Sequence, residues 1–321
     1  MALDSLFVVI GLTVLLTGAR LVVRSALLIA TSFGMSRVLV GSTIVAFGTS
    51  APELVISMTA SLGDSDGLGV GNVIGSNVAN VALVLGMAAV VSPMVVDRRL
   101  LRWEIPVLFA ATVAVLLAGT DGELARWEGL MLFVVGLGGF VIVSFLLAPE
   151  SPVLISEEDK TPKTLSPYLD KTLTNGCLLI VGLACLALGA AVVVQGATGV
   201  AERLGLSDLA IGVTVVAVGT SLPEIATTVI AALRREHEIA IASAVGSNIF
   251  NLLGVLGLTA LVAPLNFDQS LYQFEMIALG LSSLVLFPIV ALHTRSLVDR
   301  REGLLLLSAY VIFLGLILDR A

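Results

Sequence analysis

Residues 41–54 read GSTIVAFGTSAPEL, and residues 212–225 read GVTVVAVGTSLPEI. Further along, GNVIGSNVANVALVLG at 71–86 is answered by SAVGSNIFNLLGVLG at 243–257. The segments 41–93 and 212–264 align without a gap at a constant offset of 171, and 21 of the 53 pairs are identical. Shared apolar composition accounts for the matched Leu and Val. It does not account for the matched pairs Gly48/Gly219, Thr49/Thr220, Ser50/Ser221, Pro52/Pro223, Glu53/Glu224, Ser76/Ser247, Asn77/Asn248 and Asn80/Asn251. The offset extends outward to Gly18/Gly189, Gly34/Gly205 and Glu104/Glu275, so the chain is two homologous halves.

Each repeated block lies within a long apolar run. Of the 321 residues, 57% are hydrophobic and only 13% charged, against roughly 25% in soluble domains. Mean hydropathy is +1.07. The apolar runs are long enough, at 1.5 Å per residue, to cross a hydrocarbon layer of about 30 Å. They lack the polar alternation of barrel strands, and backbone amides in lipid must be paired within their own segment. An all-α polytopic membrane protein is therefore predicted. Ten spans are expected, at 4–30, 38–62, 68–92, 100–119, 126–148, 172–201, 209–233, 239–264, 272–292 and 302–319. The opening Met1-Ala2-Leu3-Asp4 has no basic leader, so the first span is expected to be retained. Cys177 and Cys185 both fall in the sixth span, where packing is the expected role.

The predicted organisation is a five-helix repeat over 1–148, a linker over 149–171 with Pro149, Pro152, Pro162 and Pro167, and a second repeat over 172–321. Five is odd, so the second copy enters the bilayer from the opposite side. Such inverted repeats mark secondary transporters that hold substrate near the midplane and work by alternating access. Of the 17 Lys and Arg, 12 fall in loops on the side away from the termini and three on the terminal side, while Arg20 and Arg24 lie toward the inner end of span one. The bias places the linker in the cytoplasm and both termini outside a cell membrane. The net charge of −7 is diffuse, and no basic run or aromatic-basic interleaving points to nucleic acid. The bilayer is the one partner expected besides transported ions, and the chain is expected to work as a monomer.

Two carboxylates sit deep in spans, Glu53 and Glu224, where a charge costs several kcal/mol unless compensated. The preceding prolines, Pro52 and Pro223, lack an amide hydrogen and free carbonyls near Gly48 and Gly219. Thr49 shares a helix face with Glu53, and Ser50 lies three residues before it, so each broken helix offers hydroxyl, carbonyl and carboxylate oxygens to one point. Ser76 and Asn80, and Ser247 and Asn251, repeat the four-residue spacing. An all-oxygen set with two carboxylates suits hard cations such as Ca²⁺ or Na⁺, whereas Zn²⁺ or Cu⁺ would call for imidazole or thiolate. His237 and His293 are read as solvated loop-end residues. Gly67, Gly71 and Gly75 form a GxxxGxxxG ladder, read as helix packing.

In these motifs the sequence resembles the Ca²⁺/cation antiporter superfamily, whose sodium/calcium exchanger branch carries two such α-repeats and whose prokaryotic type has no large regulatory loop. The resemblance covers the whole chain. It implies a core of spans two, three, seven and eight, with spans one and six as long tilted helices that slide across it. It also implies that Glu53, Glu224, Thr49 and Thr220 hold Ca²⁺. Na⁺ would use Ser50, Ser76, Ser221, Ser247 and the carbonyls of Ala46 and Ala217, with Asn80 and Asn251 completing the centre. Some relatives have aspartate at the position of Asn251, so the formal charge here is −2. The implied activity is exchange of Ca²⁺ for Na⁺ with no bound cofactor; Ca²⁺/H⁺ and K⁺-dependent exchange are the alternatives. A channel or an intramembrane enzyme is disfavoured, because neither needs matched acids in inverted copies and no HExxH or GxGD-type motif is present.

Overall fold

The computed structural model describes residues 2–63, 66–147, 172–205, 215, 217–266, 269–291 and 297–320. Almost all of them are helical. The helices are α1 Ala2–Phe33, α2 Arg37–Thr49, α3 Ala51–Leu62, α4 Gly67–Val91, α5 Leu100–Asp121 and α6 Arg126–Leu146, then α7 Thr172–Arg203, α8 Ala217–Thr220, α9 Leu222–Leu233, α10 His237–Val262, α11 Gln269–Ala291 and α12 Arg300–Arg320. Among the described residues, seven helices are long and apolar enough to cross a membrane, and α2 with α3, bent by 43° at Ser50, adds an eighth. The expected seventh and ninth spans correspond to shorter apolar helices, Leu222–Leu233 and Phe274–Leu286. The start of the seventh span, the linker over 149–171 and His293 lie outside the described residues.

Burial separates a core from a shell. Helix α10 is buried along its entire apolar window and α4 along 78% of it, whereas α1, α6, α7 and α12 bury a third or less. Core contact relies on missing side chains at two positions on the α2–α10 interface. A Cβ on Gly246 would lie 2.5 Å from the Ser42 backbone, and one on Gly41 would lie 2.9 Å from Ala242. The GxxxGxxxG ladder behaves otherwise. Among the described residues nothing lies within 4 Å of a Cβ at Gly67, Gly71 or Gly75, so the packing expected there is not found. Gly75 is the counterpart of Gly246, but the counterpart of Ser42, residue 213, lies outside the described residues.

Helices α1 and α7 have 32 residues each. At 1.5 Å per residue they are about 48 Å long, which exceeds a hydrocarbon layer of about 30 Å and makes them cross it obliquely. They lie antiparallel along a glycine seam. A Cβ on Gly189 would meet the Leu15 amide at 2.5 Å, and one on Gly18 the Gly182 carbonyl at 2.8 Å. An ion pair of 2.9 Å between Asp4 and Arg203 closes one end. The two helices are thereby held as one unit.

Two contacts locate the symmetry between the halves. The hydroxyls of Thr112 on α5 and Ser283 on α11 lie 2.8 Å apart, and Asn248 Nδ2 donates to the Asn77 carbonyl at 3.1 Å. Both pairs are separated by 171 residues. A residue can meet its own counterpart only on a two-fold-like axis. Short antiparallel pairings, Met94–Val95 with Leu297–Val298 and Glu123–Leu124 with Leu265–Asn266, tie each half to the other.

Candidate ion-binding centre

Both repeat breaks have the same backbone. Ser50 lies at φ −87°, ψ 5° and Ser221 at φ −86°, ψ 3°, each followed by a helix with proline in its first turn. The breaks place Glu53 and Glu224 in the first turns of α3 and α9, where helix N-termini favour negative charge. The glycine before each break admits α7 close to it. A Cβ on Gly48 would sit 2.5 Å from Leu183, and one on Gly219 would collide with the Val194 side chain.

The structure brings some of the expected oxygens of the two repeats into contact. Ser50 Oγ donates to Glu224 Oε1 at 3.2 Å. Thr49 Oγ1 lies 3.3 Å from Ser247 Oγ, which joins the break of the first repeat to α10. Glu53, Glu224, Thr49, Ser50, Ser76, Ser221, Ser247, Asn80, Asn251 and Ala46 are all buried. Thr220 is half-buried, and Ala217 opens the short helix α8.

What sets this cluster apart is unmet hydrogen-bonding capacity. Both oxygens of Glu53, Oε2 of Glu224, Oγ of Ser221 and the side-chain amides of Asn80 and Asn251 are buried without a partner among the described residues. Buried polar atoms are ordinarily paired, because an orphan costs about 1–3 kcal/mol. So many orphaned oxygens around two carboxylates form a set of acceptors suited to a dehydrated hard cation.

Three features escaped sequence reasoning. Asn80 and Asn251 each lie in a turn widened to π geometry, over Asn80–Val84 and Phe250–Val255, and a third such turn, Gly41–Val45, precedes the first break. Wide turns of this kind recur at functional sites but leave no mark on hydrophobic periodicity. Asn72 braces the first acid, with Nδ2 donating to the Glu53 carbonyl at 3.3 Å and to Ser57 Oγ at 3.0 Å. The Ala46 carbonyl, expected as a ligand, already accepts the Ser50 amide at 3.0 Å and the Thr49 hydroxyl at 3.3 Å. Ligation there requires Thr49 to turn away.

Two expectations about charged groups also change. Glu53 and Glu224 are not the only buried acids. Glu104 is fully buried and pairs with Arg99 at 3.1 Å, and Arg99 further donates to Ser36 Oγ at 3.1 Å and to the Ser144 carbonyl at 2.7 Å. His237 is half-buried, not solvated, and its Nδ1 accepts the Val95 amide at 3.4 Å.

Comparison with known proteins supplies independent evidence. The family model described as sodium/calcium exchanger protein matches residues 4–146 and 175–318. The sodium/calcium exchanger MaX1 of Methanosarcina acetivorans is 32% identical, with 96% of this chain and 97% of that protein covered. The inner membrane protein YrbG of Escherichia coli K12 is 32% identical, over 99% of this chain and 97% of its own. Among solved structures, the sodium-calcium exchanger NCX_Mj, soaked with zero Na⁺ and Ca²⁺, superposes with a TM-score of 0.83 at 30% identity, covering 98% of this chain and 99% of that one.

Proposed function

The chain belongs to the sodium/calcium exchanger family, and from that premise we propose that it is a secondary antiporter exchanging Ca²⁺ for Na⁺ across a membrane by alternating access. One observation carries the proposal. Buried oxygens of both repeats meet where Ser50 reaches Glu224 and Thr49 reaches Ser247, and both oxygens of Glu53, one of Glu224 and that of Ser221 lack hydrogen-bond partners among the described residues.

Glu53 and Glu224, with Thr49 and Thr220, bind Ca²⁺. Na⁺ occupies sites built from Ser50, Ser76, Ser221, Ser247 and the carbonyls of Ala46 and Ala217, and Asn80 and Asn251 close the centre. The coupling follows from charge. Two carboxylates in a low-dielectric setting are neutralised by one Ca²⁺ or by Na⁺ ions, and the same oxygens cannot serve both at once. Each ion therefore leaves only as the other arrives. The α1–α7 unit, seated on the glycines before the two breaks, moves across the core to open one face and then the other. Both termini lie outside the cell membrane and the 149–171 linker lies in the cytoplasm, a placement supported by the distribution of Lys and Arg. The protein transports as a monomer of two five-helix halves and catalyses no reaction.

The test is Ca²⁺ uptake into proteoliposomes under an imposed Na⁺, H⁺ or K⁺ gradient. Uptake should follow an outward Na⁺ gradient and reverse with it. Uptake that ignores Na⁺ and follows H⁺ would replace Na⁺ with protons as the counter-ion, and a strict K⁺ requirement would add a third ion.

A further inference from the structure

Neither contact on the pseudo-dyad is symmetric. Thr112 Oγ1 donates to the Leu108 carbonyl at 2.9 Å, so Ser283 is the donor in the 2.8 Å contact between the two hydroxyls. Asn77 and Asn248 do not share theirs equally. Asn248 Nδ2 crosses the dyad to the Asn77 carbonyl at 3.1 Å, while Asn77 Nδ2 turns back to the Val73 carbonyl of its own helix at 2.8 Å. Both side chains are completely buried, and each keeps an amide oxygen with no donor. An apolar residue would avoid that cost, so packing alone does not account for the pair.

The same half-symmetry holds beside the glutamates. Ser50 of the first repeat donates to Glu224 of the second. The counterpart contact would join Ser221 to Glu53, yet Ser221 Oγ and both Glu53 oxygens have no partner among the described residues. At two places in the centre, one donor crosses between repeats and its counterpart does not.

In an inverted-repeat transporter the two access states can be reached by the repeats exchanging conformations. Exchange carries residue 77 into the role of 248, 73 into that of 244, and 221 into that of 50. The crossing bond would then run from Asn77 Nδ2 to the Asn248 carbonyl, Asn248 would fold back on the Ala244 carbonyl, and Ser221 would donate to Glu53. We propose that Asn77 and Asn248 are positioning residues of the exchange cycle, and that the hydrogen bond between them changes donor when the protein switches the face to which it opens. Each asparagine adjoins one ion-site serine and lies three residues before an ion-site asparagine, so a shift at the dyad reaches Ser76, Asn80, Ser247 and Asn251 together.

The proposal rests on the alternating-access reading, and its test separates the two. Asn248→Leu and Asn77→Leu keep the branching at Cγ but remove one donor each. Purified variants are reconstituted in proteoliposomes of known orientation, and half-saturating Ca²⁺ is measured from each face. Apparent affinity at a face scales with the fraction of molecules open to it. One neutral buried hydrogen bond changes a two-state ratio about fivefold. Each variant loses its crossing bond in one state and its fold-back bond in the other. The ratio of the two half-saturating concentrations should therefore move one way for Asn248→Leu and the opposite way for Asn77→Leu, by up to about fivefold where the fold-back bond to the residue's own helix contributes little. The double variant should return close to the parent ratio. Shifts in the same direction, or equal weakening at both faces, would overturn the toggle and leave the asparagines a fixed structural role. Alanine variants, too small to clash, repeat the comparison if leucine impairs insertion. Absence of Na⁺-driven exchange in the unsubstituted protein would instead overturn the antiporter reading.

Discussion

Arg99→Met should destabilise the protein strongly, and the reason lies in what it leaves behind. The Arg99 side chain is 12% exposed and that of Glu104 is fully buried. Glu104 Oε2 already lacks a partner, so loss of Arg99 removes the last compensation for the carboxylate. Stranding one member of a buried pair typically costs about 3–5 kcal/mol. The double variant Arg99→Met, Glu104→Leu removes the stranded charge as well. What it still loses are the bonds to Ser36, which keeps the Leu39 amide as a donor, and to the Ser144 carbonyl. That residual loss is about 1–2 kcal/mol. At about 2 °C per kcal/mol for a chain of this size, thermal unfolding in detergent should fall by about 6–10 °C in the single variant and about 2–4 °C in the double. If the single variant unfolds no earlier than the double, Glu104 does not depend on Arg99, and the cluster joining Ser36, α5 and α6 is not held by charge.

Glu53→Gln and Glu224→Gln should each reduce Ca²⁺ uptake by at least about a hundredfold while the protein still inserts and elutes as a single species, because a divalent ion is left half-compensated and no new burial cost arises; uptake near the parent level would refute the ligand assignment. Arg235 holds φ 60° at the end of α9, a conformation favoured for glycine. Arg235→Gly should therefore raise stability by about 1 kcal/mol, read as a higher unfolding temperature with unchanged transport. A reporter fused after Ala321 and active only in the cytoplasm should stay silent, and activity would reverse the proposed orientation.

The sequence made the centre legible because its ingredients are local and duplicated. A proline, an acid four residues after a threonine, and a serine between them stand in fixed register, so one copy already suggests convergence and the second excludes chance. What it could not disclose depends on partners distant in the chain. Glu104 near a span start resembles an interfacial acid until Arg99, Ser36 and Ser144 are seen around it. The Ala46 carbonyl came from the family resemblance alone; the donor that Pro52 withholds is the one for Gly48, and Ser50 still reaches Ala46. The glycine ladder shows the same limit, since spacing identifies a smooth face without identifying what lies against it.

The dyad contacts bear on how such a chain could arise. At Thr112 and Ser283, and at Asn77 and Asn248, the protein touches its own duplicate. A single five-span chain inserted in both orientations would set identical residues against one another there, and every substitution would count twice. Fusion of the copies lifts that constraint. Threonine can then face serine, and Arg99 can be kept in one half while Ser270 stands at its counterpart. The seam where the halves meet is thus where they are free to diverge, and where a transporter built from mirrored parts can acquire a preferred direction.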